Sequence, residues 1–274
     1  MNPPCKAECT ITCFFTCIGK TKTKKKDCEA DKPYHNINRN FSLSVKEINR
    51  TRELNLRSLI KRKKLHLLLD LDNTLIHAIR VNRLSSTDRD YLRYIQREIV
   101  DGGVVNPAYI YPMLDYSYAL KMRPGVKEFL MELSPLFDIS IYTLAGRSYA
   151  KVVAEILDPY KCTFRDIITN ENCTTPGYKG LDVVLYPERV TVIVDDLREV
   201  WKKHPDNLIQ IRPYEFFDYL SLGLGVEELV KHESTDMDTE LLRVLIHLKK
   251  LHAQFYKEKT LGHSHRDIRK FIIR

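Results

Sequence analysis

Apolar positions along the chain fall into two kinds of run. Short, mostly apolar runs, too brief for a helix, predict buried strands at Leu65 to Leu69, Phe137 to Tyr142, Val190 to Val194 and Asn207 to Ile211. Elsewhere apolar residues recur every three or four positions, which predicts helices over Ser44 to Leu59 and Arg147 to Leu157. A third such helix opens at Pro124 with Val126, Phe129, Leu130 and Leu133 on one face. A long one near the end carries Leu241, Val244, Leu245, Leu248 and Phe255, with Asp236 or Asp238 as its cap. Ser85-Ser-Thr-Asp88 is a further helix start, followed by Tyr91, Leu92, Ile95 and Ile99 and closed by Gly102-Gly103. Tyr116, Tyr118, Leu120 and Met122 alternate as in a half-buried strand. Strands alternate with helices, so an α/β fold with a largely parallel sheet is predicted.

Composition changes this picture mainly at the N-terminus. Of 274 residues 43% are hydrophobic, ample for a core, and the formal net charge is +8. Met1 to Lys64 holds 16 Lys+Arg against 6 Asp+Glu, whereas the remainder holds 28 against 30. The basic excess therefore belongs to a tail, and a nucleic-acid-binding body is disfavoured. Five of seven cysteines also lie in the tail, a reducing-compartment pattern and not a disulfide framework. The expected organisation is a disordered, basic, Cys-rich tail over 1–43, a helical lead-in with the cluster Lys61-Arg-Lys-Lys64 over 44–64, a folded domain over 65–256, and a basic extension over 257–274. Cys5, Cys9, Cys13 and Cys17 beside a lysine run admit acylation and membrane contact, but a solvated tail is the plainer reading. The basic cluster reads equally as a nuclear import signal or as a solvated lead-in.

The chemistry gathers where the predicted strands end. Ligands of an open parallel sheet bind outside the carboxyl ends of its strands, and Asp70, Thr143 and Asp195-Asp196 each end a separate run. Several carboxylates converging in a low-dielectric crevice repel one another, and a hard divalent cation such as Mg²⁺ relieves that. With the cation present Asp70 can attack phosphorus to give an aspartyl-phosphate. Asp72 can protonate the leaving oxygen and then activate water. Thr143 and Lys179, the latter within Pro176-Gly-Tyr-Lys-Gly180, can bind phosphoryl oxygens. For Asp-Leu-Asp alone, a turn with helix-capping acids would serve as well; the ordered set favours chemistry.

That set, Asp70-Leu-Asp-Asn-Thr74 with Thr143, Lys179 and Asp195-Asp196, resembles the haloacid dehalogenase superfamily. Met122-Arg-Pro-Gly125, Ile141-Tyr-Thr-Leu-Ala-Gly-Arg-Ser-Tyr-Ala150 and Val194-Asp-Asp-Leu-Arg-Glu-Val-Trp201 are similar to Fcp/Scp-type protein serine phosphatases, and Lys179-Gly-Leu-Asp-Val-Val-Leu185 and His204-Pro-Asp-Asn-Leu-Ile209 are most similar to plant RNA polymerase II C-terminal-domain phosphatase-like proteins. The resemblance implies a Rossmann-like haloacid dehalogenase fold with a small helix-plus-hairpin insertion. It implies Asp70 as nucleophile and Mg²⁺ ligand, Asp72 as acid/base lending its carbonyl to the metal, and Asp196 as direct ligand. Asp195 and Thr74 would support them, and Thr143 and Lys179 would bind phosphate. It further implies a nuclear enzyme acting on phosphoserine in the polymerase heptad repeats. The rivals are an inactive phosphopeptide-binding relative and a phosphatase for another phosphoprotein. About eighteen residues follow Tyr256, so recruitment through a BRCT module after the catalytic domain is not expected. Asn73 is expected to tolerate change, Trp201 to be a packing anchor, and Arg123 to meet a phosphate or a nearby acid or, equally, to serve the structure alone. Cys162 and Cys173 are taken as core or loop thiols, and His263 and His265 have no assigned role.

Overall fold

The computed structural model describes residues 45–100, 110–113, 118–233, 238–257 and 266–272. The tail over 1–43, Gly102-Gly103, Tyr116, Asp236, His263 and His265 lie outside the described residues. In chain order the regular elements are α1 (Val45–Arg62), β1 (Leu65–Leu69), β2 (Ile76–Arg80), α2 (Ser86–Val100), β3 (Ile110–Met113), β4 (Tyr118–Met122), α3 (Val126–Leu133), β5 (Phe137–Tyr142), α4 (Arg147–Leu157), β6 (Phe164–Ile168), β7 (Thr191–Asp195), β8 (Leu208–Gln210), α5 (Val226–Glu233) and α6 (Glu240–Lys257).

Five parallel strands form the central sheet in the order β6-β5-β1-β7-β8. From β1 the chain builds outward through β5 and β6, then returns to add β7 and β8 on the other side. The crevice between the two directions opens at the carboxyl ends of β1 and β7, the position that binds ligands in doubly wound sheets. The predicted α/β class with a largely parallel sheet is thus observed.

β1 is buried along its whole length, as a central strand covered on both faces must be. His66 is its one polar residue: its Nδ1 lies 3.2 Å from Thr191 Oγ1 and its Nε2 3.1 Å from Ser140 Oγ, and its ring stacks on Tyr186. β6 gave no clear sequence signal because Arg165 and Asp166 interrupt its apolar run; it is an edge strand whose Arg165 is exposed.

The insertion after β1 carries α2 and the expected hairpin of β3 and β4, with β2 added on the other side of β4 to give a three-stranded antiparallel sheet. A second apolar cluster lies here, built by Leu84 and Leu92 with Tyr214, Phe217, Val226 and Leu229 from beyond β8. This later stretch, including α5, carries no periodicity that predicts it.

Packing extends past both ends of the expected 65–256 segment. Leu56 and Leu59 of α1 and Ile268 join the main core, and the Arg266 guanidinium donates to the Phe255 carbonyl. The basic cluster is not simply solvated, since Arg62 forks onto Asp138 and Lys64 donates to the Ser134 carbonyl at 2.6 Å. No described helix is long and apolar enough to cross a membrane.

Candidate active site

Parallel register places the end of β1 beside the ends of its two neighbours: Leu69 pairs with Ile141 of β5 and with Val194 of β7. One residue further, Asp70 therefore sits between the strand ends that carry Thr143 and Asp195. The Asp70 amide continues the ladder by donating to the Val194 carbonyl at 3.1 Å.

Lys179 closes the group from a loop between β6 and β7. Its ammonium donates to Asp70 Oδ1 at 2.5 Å and to Asp195 Oδ2 at 2.6 Å, and all three side chains are buried. Asp195 is otherwise fully engaged: Trp201 Nε1 donates to Oδ2 at 2.8 Å and the Leu197 amide to Oδ1 at 2.8 Å. Asp196 accepts from the Thr74 hydroxyl at 3.3 Å. The Thr143 hydroxyl accepts from the Ala145 amide at 3.0 Å, which leaves its proton to donate elsewhere.

Asp72 lies beyond the strand in a tight loop where Asn73 takes a left-handed backbone, φ 59°. Asparagine is among the few non-glycine residues that adopt it readily, so position 73 is more constrained than expected. Arg123 braces the loop, donating to the Thr74 carbonyl at 3.1 Å, the Asn73 carbonyl at 3.4 Å and Asp238 Oδ2 at 2.8 Å. The expected contact with a nearby acid is made, to Asp238. The Asp72 carboxylate turns to α4, where the Tyr149 hydroxyl donates to Oδ1 at 2.5 Å.

Asp70, Asp72, Thr143, Lys179, Asp195 and Asp196 line a cavity of about 140 Å³ that also touches Asn73, Leu144, Ala145 and Leu197. Four carboxyl groups face one ammonium, and three of them, Asp70, Asp72 and Asp196, hold a proton more tightly than usual. Burial pushes Asp70 upward although Lys179 pulls it down, and burial raises Asp72 against the Tyr149 hydrogen bond. Burial, and then Asp195, push Asp196 up to about 6. Lys179 is held protonated against burial by Asp70 and Asp195.

Carboxylate oxygens of Asp70, Asp195 and Asp196 lie within 4.8 Å of one another. Both Asp195 oxygens are engaged, whereas Lys179 takes Oδ1 of Asp70 and the Thr74 hydroxyl takes Oδ1 of Asp196. A hard divalent cation fits this donor set, because it satisfies oxygen ligands and excess negative charge together. The Asp72 carboxylate stands outside the triplet.

Every site residue singled out from the sequence therefore converges here. Tyr149 was missed as a site residue, and Arg123 and Trp201 carry more than their packing. Only spacing hinted at Trp201, which follows the acid pair closely; nothing in the sequence places Tyr149 against Asp72.

Comparisons with known proteins bear on the family and the fold. The family of NLI interacting factor-like phosphatases matches residues 65–260. The chain is 36% identical to "RNA polymerase II C-terminal domain phosphatase-like 4" of Arabidopsis thaliana over 85% of its own length and 54% of that protein's. It is 32% identical to an RNA polymerase II C-terminal domain phosphatase of Schizosaccharomyces pombe over 68% of its length and 25% of the relative's. The chain thus spans about half of the first relative and a quarter of the second. Fission yeast Fcp1, an RNA polymerase II CTD phosphatase solved bound to beryllium fluoride, superposes with a TM-score of 0.60 at 26% identity, over 81% of this chain and 73% of that one.

Proposed function

The chain belongs to the family of NLI interacting factor-like phosphatases, and from that premise we propose that it is a Mg²⁺-dependent phosphoprotein phosphatase acting through an aspartyl-phosphate on Asp70. The observation that carries this reading is Asp70 itself, a buried strand-end carboxylate bound by Lys179 at 2.5 Å and grouped with two further acids.

A bound Mg²⁺ would offset the repulsion between the Asp70 carboxylate and an anionic phosphoryl group. Asp70 attacks phosphorus, and the bond to the seryl oxygen breaks. Asp72, held by Tyr149, gives its proton to that oxygen and later takes one from the water that hydrolyses the acyl-phosphate. Thr143 and Lys179 donate to the phosphoryl oxygens, so Lys179 exchanges part of its contact with Asp70 for the incoming group. Asp195, fixed by Trp201, keeps the ammonium over the site.

For substrate, we propose phosphoserine in the C-terminal domain of RNA polymerase II, the target for which the relatives are named, and hence a nuclear location. The insertion is small and Leu197 at the cavity rim is half-exposed, which suits a flexible peptide.

The test is Mg²⁺-dependent phosphate release from a doubly phosphorylated heptad peptide, with Asp70→Asn beside wild type. Release that disappears in the variant and with chelator supports mechanism and substrate class. A folded, Mg²⁺-supplied wild type that releases nothing from peptide or aryl phosphate would return the protein to the binding-only reading. Turnover of aryl phosphate but not the peptide would leave the chemistry standing and sink the substrate.

A further inference from the structure

We infer that α1, which precedes the family-matching segment, is a working part of the phosphatase: Arg52 and Asn55 position the loop that presents Lys179. The inference rests on the phosphate-binding role proposed for Lys179.

From Lys179 to the start of β7 the chain makes only short 3₁₀ turns, so its buried carbonyls find no partners in a sheet ladder. α1 supplies them across more than a hundred residues of sequence. Arg52 Nε donates to the Val184 carbonyl at 3.0 Å, and its Nη2 to the carbonyls of Leu181 at 2.6 Å and Asp182 at 3.3 Å. One turn on, Asn55 Nδ2 donates to the Leu185 carbonyl at 2.7 Å. Leu181 and Val184 are themselves core residues, so the segment is fixed by its side chains and its carbonyls together.

On its other side the loop is held by the body of the domain. The Lys179 amide donates to the Val200 carbonyl at 2.9 Å, the Gly180 amide to the Tyr142 hydroxyl at 3.1 Å, and the Leu181 amide to His204 Nε2 at 3.1 Å. Lys179 is thus suspended between a fixed wall and α1. Its ammonium must shift from Asp70 to phosphoryl oxygens during turnover, and a misplacement of about 1 Å in such a group can lower a rate by two orders of magnitude. The forked, planar guanidinium of Arg52 reaches these carbonyls from two separate nitrogens; a lysine carries its donors on one atom and cannot span them in the same way.

The experiment uses the full chain with Arg52→Ala, Arg52→Lys and Asn55→Ala, and Arg62→Ala as a control that breaks the α1 contact to Asp138. Activity is read on a small aryl phosphate, which depends on the phosphoryl pocket alone, well below each variant's Tm. Arg52→Ala is expected to lower kcat about tenfold with KM within twofold, Arg52→Lys to recover little, and Asn55→Ala to lose two- to threefold. Arg62→Ala is expected to lower Tm with kcat unchanged. Independently of turnover, amide hydrogen exchange over residues 180–185 should accelerate in Arg52→Ala and not in Arg62→Ala. An Arg52→Ala enzyme that loses Tm while kcat and this exchange stay as in wild type would overturn the inference. Inactivity of wild type would instead count against the phosphatase reading, with the exchange experiment still deciding whether α1 holds the loop.

Discussion

The Tyr149 hydroxyl donates to Asp72 Oδ1 at 2.5 Å, tying the start of α4 to the loop that leaves β1. Tyr149 also packs edge-on against Tyr118 of the insertion, so its position is set from two sides. Asp72 thereby keeps one orientation although it is only half-buried and stands apart from the three clustered acids. Tyr149→Phe preserves the ring packing and removes the donor. Its kcat is expected to fall about tenfold, the equivalent of about 1.4 kcal/mol, with little change in KM. Steady-state kinetics on aryl phosphate measure this, and an unchanged kcat would remove Tyr149 from the acid/base apparatus.

Arg123 couples stability to the same loop. Its guanidinium is buried among the carbonyls of Asn73 and Thr74, Asp238 and the face of Tyr214. Arg123→Lys retains charge but not the fork, so about 2–4 kcal/mol of stability and most of the activity should be lost together. Denaturant titration beside kcat tests the pairing; a stable variant with normal turnover would show that the loop holds itself.

Asp138 offers the contrasting case, since it begins β5, whereas the site lies at the strand's other end. It is buried beneath Arg62, with Lys64 at 3.7 Å and Arg165 at 3.6 Å. Asp138→Asn leaves those cations without a counter-charge and is expected to cost about 3 kcal/mol. Turnover per folded molecule should not change. A kcat reduced in proportion to stability would mean the two ends of β5 are coupled.

His66 makes the protein's stability depend on pH. Burial, opposed by Asp138, lowers it from 6.5 to about 3, so the folded state stays neutral where the unfolded chain takes a proton. The contribution is complete above the unfolded value and is lost as pH falls from about 6.5 towards 3, which amounts to about 2 kcal/mol by pH 5. Urea unfolding at pH 7 and pH 5 should show this loss in wild type and a smaller one in His66→Gln. Equal losses would assign the acid sensitivity to other groups.

The parts legible beforehand share one property: their signal is local. β1, β5 and β7 are short apolar runs because central strands are buried on both faces, and α3, α4 and α6 show the three-to-four spacing of one-sided burial. β2, β6 and α5 were silent, because each is partly exposed or depends on distant neighbours for its burial. The pairing of the basic cluster was hidden for the same reason, as Arg62 and Lys64 find their partners some seventy residues away.

By itself the sequence determined which groups the site contains, since a carboxylate or ammonium just past an apolar strand has few places to go but the sheet's end. It also determined the α/β order, which follows from hydrophobic period alone. Only the tertiary structure decided how those groups are engaged: Asp195 spent on Trp201 and Lys179, Asp72 turned to Tyr149, and Arg52 reaching the Lys179 loop. Hydrogen bonds across a hundred residues depend on packing geometry, and no local pattern of residues encodes it.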